Sequence, residues 1–140
     1  IVPIQMKHCV VKLDEKRRKE RCARWQKIAL EAAKQCGRAR VPFVDEVRTL
    51  KDLIQEYGRY FFFIPYEGEE KAARIAAERA AGEDTVICIG PEGGYAPEEI
   101  EELTSSCEQY AVVSLGKRIM RAETAALAAC SVIMYERGFV

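Results

Sequence analysis

Apolar residues recur every three or four positions between residues 15 and 36, the spacing that places side chains on one face of a helix. We therefore predict one long helix, with Asp14 as its N-cap and Gly37 at its end. The predicted apolar face consists of Cys22, Trp25, Ile28, Ala29, Ala32, Ala33 and Cys36. The opposite face carries Arg17, Arg18, Arg21, Arg24 and Lys27. The pattern indicates a helix with one buried side and one solvated, basic side.

Continuous apolar runs at residues 60–65, 85–89 and 111–115 are typical of strands buried on both faces of a parallel sheet. A further short strand is expected at residues 8–13, which are rich in β-branched side chains. A capping box at Thr49 and Asp52 predicts a short helix that Gly58 ends. Other helices are predicted at residues 69–81, from Pro97 onward, and at 122–136. This alternation predicts one α/β domain over residues 1–140, with a mainly parallel sheet.

In open α/β sheets, ligands bind beyond the carboxyl ends of the strands. The loops at those ends are residues 65–68, 90–94 and 115–118. The second loop holds Gly93 and Gly94, which permit positive φ and close approach of a ligand to the backbone. It also holds Glu92, a candidate functional carboxylate. The alternative interpretation is a tight turn that leaves this glutamate exposed without a role. No phosphate-binding glycine motif is present, and Glu92 would repel a phosphate.

Formal charges cancel overall, with 22 Lys and Arg against 22 Asp and Glu, but they are unevenly distributed. Residues 1–41 carry twelve basic and four acidic side chains, a net +8, and the remainder carries the compensating −8. Such asymmetry is typical of a protein with a polyanion partner, although a solvated helix face gives the same pattern.

Histidine and cysteine usage argues against a metal centre. His8 is the only histidine, and the six cysteines lack the spacing of zinc ligands. Cys22, Cys36 and Cys88 stand at apolar positions, so we expect buried free thiols and a reducing, cytoplasmic location. No apolar run reaches the length of a membrane helix, so no membrane partner is expected.

Two motifs carry a resemblance to a known family. They are IGPEGGY at residues 89–95, followed by EEI at 98–100, and SLGKRIMRAETA at 114–125. A third block agrees, EAAKQCGR at 31–38 with VP at 41–42, and shorter matches lie at residues 10–12 and 24–25. In this order the blocks resemble the bacterial 16S ribosomal RNA uracil-N3 methyltransferase family (RsmE type) of the knotted SPOUT methyltransferases. Met120 stands where that family usually has leucine.

The resemblance implies a deep C-terminal trefoil knot, a homodimer, and S-adenosylmethionine as methyl donor. It also implies that the chain corresponds to the methyltransferase domain without the PUA-like domain and the first strand and helix that precede it in the family. The cofactor residues that it implies are Ile64, Pro65, Gly90, Gly93, Gly94, Leu115, Gly116, Ile119, Met120 and Thr124.

The implied substrate is 16S ribosomal RNA within the small ribosomal subunit. Uracil N3 carries a proton at neutral pH, and a carboxylate near N3 could accept it, with Glu92 or Glu123 as the candidates. Arg121 or Arg38 would stabilise the developing anion. Alternatively, Glu123 pairs with Arg121, and Arg38 contacts an RNA phosphate. If Arg121 precedes the last helix, it and Glu123 can face one site. The residues expected to contact RNA are Arg17, Arg21, Arg24, Gln35, Arg38 and Arg40.

Three other functions are compatible with parts of this pattern. A ribose 2′-O-methyltransferase of the same superfamily would use similar cofactor loops. A non-catalytic RNA-binding or assembly fragment would need only the basic helix. A flavodoxin-like nucleotide binder is disfavoured because phosphate motifs are absent.

Overall fold

The structure, a computed structural model, describes residues 1–69 and 73–139. The elements are α1 (Glu15–Gln35), α2 (Leu50–Tyr57), β1 (Phe61–Pro65), α3 (Ala73–Ala81), β2 (Thr85–Ile87), α4 (Pro97–Ser106), β3 (Gln109–Val113) and α5 (Ala122–Glu136). They form two compact units. The first consists of Ile1–Gln5 and Val11–Leu53, and the second of Met6–Val10 and Ile54–Val140.

Helix α1 has the ends that the sequence predicts. Asp14 accepts the N–H of Arg17 through its side chain at 2.9 Å, which satisfies one of the free amides of the first turn. Gly37 has φ +68°, and the N–H of Arg38 donates to the Ala33 carbonyl at 2.9 Å. This closing pattern requires a left-handed residue, which glycine supplies without strain.

The apolar face predicted for α1 is only partly covered. Ala33 is buried and Cys22, Trp25 and Ala29 are half-buried. Ile28 is 55% exposed, and Ala32 and Cys36 are also exposed, so the expectation was wrong for these three residues. The cysteine prediction was also wrong in part, because Cys36 is exposed and Cys22 is only half-buried, whereas Cys88 is buried as expected. All six thiols are free.

An extended segment at residues 42–44 lies beside α1 and is held by hydrogen bonds to the Gln26 side chain. Its side-chain amide donates to the Pro42 carbonyl at 3.0 Å and accepts the N–H of Val44 at 2.8 Å. Ile4 and Arg48 form an isolated parallel bridge. Backbone hydrogen bonds also join the extended segments of this unit, from the N–H of Asp45 to the Ile1 carbonyl and from the N–H of Arg48 to the Pro3 carbonyl, each at 2.9 Å.

The predicted strand at residues 8–13 is absent, and that expectation was wrong. Lys7 and His8 form a turn, and Val10 is 79% exposed. The N–H of Lys7 donates to the Glu99 carboxylate at 2.8 Å, so a side chain takes the place of a neighbouring strand. β-branched residues alone do not make a strand without such a partner.

The capping box of α2 is confirmed. The N–H of Thr49 donates to Asp52 Oδ2 at 3.0 Å, and the N–H of Asp52 donates to Thr49 Oγ1 at 3.2 Å. The hydroxyl and amide of Thr49 lower the pKa of the Asp52 carboxyl. Gly58 follows the last residue of the helix, as predicted.

The sheet lies in the second unit and confirms the predicted α/β class. Its described strands are all parallel, in the order β2-β1-β3. Phe61 is paired with Thr85 on one side and with Gln109 on the other. The side chains from Phe61 to Ile64 are at most 1% exposed, as the continuous apolar run predicts for a central strand.

The two outer strands differ from expectation. β2 is only half-buried, and β3 is fully buried only at Val113. β2 ends two residues earlier than predicted, and β3 is displaced by two residues toward the N-terminus. An apolar run does not distinguish a central strand from an outer one, which has a partner on one edge only.

Helices α3 and α5 pack on one face of the sheet. The core there contains Phe61, Phe63, Ala77, Ala80, Val113, Ala129 and Ile133. Phe62 and Ile64 alternate with the core phenylalanines and therefore face the other side of the sheet. Helix α3 begins at Ala73, and residues 70–72 of the predicted helix lie outside the described residues. Helix α5 has the predicted bounds, but only Ala129 and Ile133 are buried along it.

Candidate active site

A cleft opens beyond the carboxyl ends of the parallel strands, where the sequence predicts a ligand. It has a compartment of about 620 Å³ and a smaller one of about 100 Å³. The larger is lined by Pro65, Glu67, Ile89, Gly90, Pro91, Glu92, Gly94, Tyr95, Ile119, Met120, Arg121, Ala122, Glu123 and Ala125. The smaller adds Tyr66, Ser114, Leu115, Gly116, Lys117 and Arg118. The three predicted loops thus meet in one cleft.

The glycine loop is held in a tight turn. Gly94 has φ +70°, and its N–H donates to the Pro91 carbonyl at 2.9 Å. His8 lies on the other side, with Nδ1 at 3.2 Å from the Gly94 carbonyl oxygen. Because that oxygen only accepts, Nδ1 carries the proton. A Cβ at Gly93 would lie 2.9 Å from the His8 Cβ, so this contact requires a glycine.

Glu67 reaches over the glycine loop and was not among the predicted site residues. A Cβ added to Gly94 would lie 2.6 Å from Glu67 Oε1. The sequence places this glutamate in the loop after β1, but no motif indicates that its side chain crosses to the neighbouring loop. Glu67 lines both compartments of the cleft.

Tyr95 anchors the glycine loop from below. It is 7% exposed, and its hydroxyl donates to the Cys88 carbonyl. Burial raises the pKa of Tyr95 well above its ordinary value, so the phenol stays neutral. A Cβ at Gly90 would lie 2.8 Å from the tyrosine ring, which explains the glycine at that position. Tyr66 packs edge-to-face on Tyr95, with ring centroids 6.2 Å apart.

The third loop presents apolar side chains to solvent. Gly116 has φ +128°, and a Cβ there would meet nothing within 4 Å. Ser114 Oγ accepts the N–H of Gly116 at 3.3 Å. Ile119 is 83% exposed and Met120 is 36% exposed. Exposed apolar side chains at the edge of a cleft are suited to covering the flat face of a ligand.

Arg121 and Glu123 both line the cleft. Arg121 is the N-cap of α5, with extended backbone, and its carbonyl accepts the N–H of Ala125 at 2.8 Å. Its position before the helix satisfies the predicted condition for both side chains to face one site. The guanidinium lies 3.9 Å from the Glu123 carboxylate. Pairing with Arg121 is the alternative role that the sequence predicts for Glu123. Both side chains are exposed.

Other predicted residues take different positions. Ile64 is fully buried in β1. Gly93 and Thr124 are not among the residues that line the two compartments. The basic residues belong to the first unit, where Arg17, Arg21 and Arg24 follow one another at intervals of four and three along α1. All the predicted RNA contacts, including Gln35, Arg38 and Arg40, are exposed.

The described residues around the cleft do not form a cluster of metal ligands. In the part of the chain that the structure describes, no three His, Cys, Asp or Glu side chains are grouped as metal ligands. None of the helices there is long and apolar enough to span a membrane.

A parallel α/β domain with a glycine-lined cleft at the carboxyl edge of its sheet belongs to the large class of nucleotide- and cofactor-binding α/β proteins. The sequence model of the RNA methyltransferase domain matches residues 1–134, and the chain belongs to this family.

Named relatives support this membership. The chain is 41% identical to ribosomal RNA small subunit methyltransferase E of Bacillus subtilis over 96% of its length, covering 55% of that protein. A candidate methyltransferase of Legionella pneumophila, solved in complex with S-adenosylmethionine, is 32% identical with a TM-score of 0.84. The match covers 96% of this chain and 54% of that one.

A third comparison is with the ribosomal RNA small subunit methyltransferase E of Neisseria gonorrhoeae, solved bound to S-adenosylmethionine. It is 30% identical, with a TM-score of 0.79, over 94% of this chain and 53% of the other. The chain therefore spans about half the length of the relatives that it matches.

Proposed function

We propose that this protein transfers a methyl group from S-adenosylmethionine to N3 of a uridine in 16S ribosomal RNA. The observation that carries the proposal is the meeting of the three strand-end loops in one glycine-lined cleft, in a chain of the RNA methyltransferase family. The relatives named for small-subunit ribosomal RNA support the choice of substrate.

The cleft fits the proposed cofactor. Its larger compartment lies within the roughly 300–1,000 Å³ range of small-molecule sites. Apolar side chains such as Ile119 and Met120 can cover an adenine ring, and a ligand can approach Gly116 closely because a Cβ there would meet nothing within 4 Å. We assign cofactor contacts to the predicted residues that line the cleft: Pro65, Gly90, Gly94, Leu115, Gly116, Ile119 and Met120.

When bound, the cofactor supplies a methyl group already activated by its sulfonium. Glu92 would accept the N3 proton of uracil, which frees the nitrogen lone pair to act as the nucleophile toward that methyl group. Arg121 stabilises the negative charge that develops on the uracil oxygens. We choose Glu92 over Glu123 because Glu123 lies near Arg121, whereas Glu92 makes no ion pair among the described residues.

Uracil N3 lies on the Watson–Crick edge, so the target must be unpaired or extruded from a helix. The exposed arginines of α1, together with Arg38 and Arg40, suit contact with the phosphates around such a target. A ribosomal substrate implies a cytoplasmic location.

We also propose that the chain acts as a homodimer and that its C-terminal part forms a trefoil knot. The resemblance to knotted methyltransferases supports both. Exposed apolar side chains along α5, including Leu127 at 70% and Tyr135 at 68%, offer a surface for a second copy. Sedimentation of the protein and of Leu127→Glu would test the dimer, since the variant is expected to sediment as a monomer.

The function is tested by single-turnover methyl transfer to small ribosomal subunits that lack the modification. Wild-type protein should label their RNA, and Glu92→Gln should be about 100-fold slower with cofactor affinity unchanged. Raising the pH should partly restore the variant, because hydroxide then assists loss of the N3 proton. Cofactor binding without transfer by the wild type would favour the non-catalytic alternative.

A further inference from the structure

Glu67 occupies a special place in the cleft, at the junction of the two compartments. The residues common to both linings are Pro65, Glu67, Ile119, Met120 and Ala125. Glu67 is the charged member of this set. Its carboxylate also lies over Gly94, in the space that a Cβ at that position would occupy.

The charge of Glu67 is available to a ligand. Among the described residues, Glu123 lies near Arg121, and Glu98 pairs with Lys7, but Glu67 has no ion-pair partner. A carboxylate beside a cleft favours a cationic group over a neutral one, because Coulomb attraction acts over several ångströms.

Methyl transfer changes the charge of the proposed cofactor at one atom. The donor carries a positive sulfonium, which joins its adenosine part to its amino-acid part, and the product carries a neutral thioether there. The α-ammonium and the α-carboxylate are the same in both molecules. If the adenosine part occupied one compartment and the amino-acid part the other, the sulfur would lie at the junction, beside Glu67.

We propose that Glu67 is a specificity-determining residue that favours the sulfonium-bearing donor over the neutral product. This inference rests on the proposed function, and it adds a role for a residue outside the motifs. By binding the donor more tightly than the product, Glu67 promotes exchange of product for fresh donor after each turnover.

Calorimetric titration of the wild type and Glu67→Gln tests the proposal with three ligands: S-adenosylmethionine, S-adenosylhomocysteine, and an analogue with a protonated amine in place of the sulfonium. The variant should bind the two cationic ligands about two- to fivefold more weakly, the size expected of a solvent-exposed ion pair. Its affinity for S-adenosylhomocysteine should be unchanged. Added salt should reduce the difference between wild type and variant.

Glu101→Gln is the matched control, because Glu101 is also exposed but lies on α4 outside both compartments. It should leave all three affinities unchanged. Glu67→Asp should recover part of the preference for cationic ligands, which a purely structural role would not predict.

An equal loss of affinity for donor and product in Glu67→Gln would overturn the inference, because it would indicate contact with a group that both share. Unchanged affinities for all three ligands would also overturn it, while leaving the proposed function intact. If the wild type bound none of the three, the proposed function itself would fail.

Discussion

His8 and Gly94 are linked by a hydrogen bond of 3.2 Å from the imidazole Nδ1 to the glycine carbonyl oxygen. The neighbouring Lys7 binds the start of α4, through its N–H to Glu99 and its ammonium to Glu98. The ammonium lowers the pKa of the Glu98 carboxyl. These contacts lie within the second unit and fasten the turn at residues 7–8 to the glycine loop and to α4, so this turn supports the loop that lines the cleft.

The first prediction concerns this fastening. His8→Leu should weaken S-adenosylmethionine binding about two- to fivefold, because loss of one hydrogen bond loosens the loop. His8→Asn should retain most of the affinity, since its amide N–H can replace Nδ1. Calorimetry measures the affinity, and hydrogen exchange at the Gly94 amide reports the loop directly. Equal affinities for His8→Leu and wild type would show that the bond has no role in binding.

The second prediction concerns Gly94 itself. Gly94→Val should lower cofactor affinity by at least tenfold, because valine resists φ +70° and its Cβ would displace Glu67. Circular dichroism should show the fold retained, since the loop lies outside the core. Gly37→Ala serves as a control for positive-φ strain, because a Cβ there meets nothing within 4 Å. Normal cofactor binding by Gly94→Val would reject this cleft as the site.

The sequence predicted the central features of the second unit well. The apolar run of β1 predicted a strand buried on both faces, and the predicted parallel arrangement placed the three loops at one edge of the sheet. The tight turn at the glycine loop and the start of α5 just after Arg121 were predicted from the residue types that favour turns and helix ends.

Other features depend on contacts between distant residues. Nothing in the sequence around Glu67 indicates that its side chain lies over Gly94. The strand expected at residues 8–13 had suitable side chains but no neighbouring strand, and Lys7 instead binds Glu99. The burial of an outer strand depends on what covers its edge, which its own residues do not encode.

The third prediction concerns stability at alkaline pH. Burial raises the pKa of Tyr95 above its ordinary value of 10.0, so the folded state holds this proton more tightly than the unfolded state. The stabilisation is fully present below pH 10 and is lost as pH rises further. The buried Cys107 thiol, whose pKa is about 11, acts in the same direction from pH 9.

Tyr95→Phe should therefore lose less unfolding free energy than the wild type as the pH rises above 10. At neutral pH the variant should be less stable by about 1 kcal/mol, because its hydrogen bond to the Cys88 carbonyl is lost. Urea unfolding between pH 7 and 11 provides the measurement. Tyr110→Phe is the matched control, because Tyr110 is 42% exposed and should leave the profile unchanged. An identical alkaline slope in Tyr95→Phe and wild type would contradict the prediction.

The fourth prediction concerns the basic face of α1. Replacing Arg17, Arg21 and Arg24 by glutamate should weaken RNA binding about 10- to 100-fold at 50 mM salt and reduce its salt dependence, through fewer released counterions. Affinity for S-adenosylmethionine should not change. The same charge reversal at Lys51, Arg59 and Arg74, which are exposed elsewhere, is the control. Equal losses in the two triple variants would mean that overall charge, rather than this face, governs binding.

The most direct test of the proposed function is the position of the transferred methyl group. Small ribosomal subunits that lack the modification are incubated with the protein and labelled S-adenosylmethionine, and their 16S RNA is digested to nucleosides. We predict that the label appears as 3-methyluridine and that subunits already modified accept none. Label on a ribose 2′-oxygen, or no label with wild-type protein, would contradict the proposed uridine-N3 methylation.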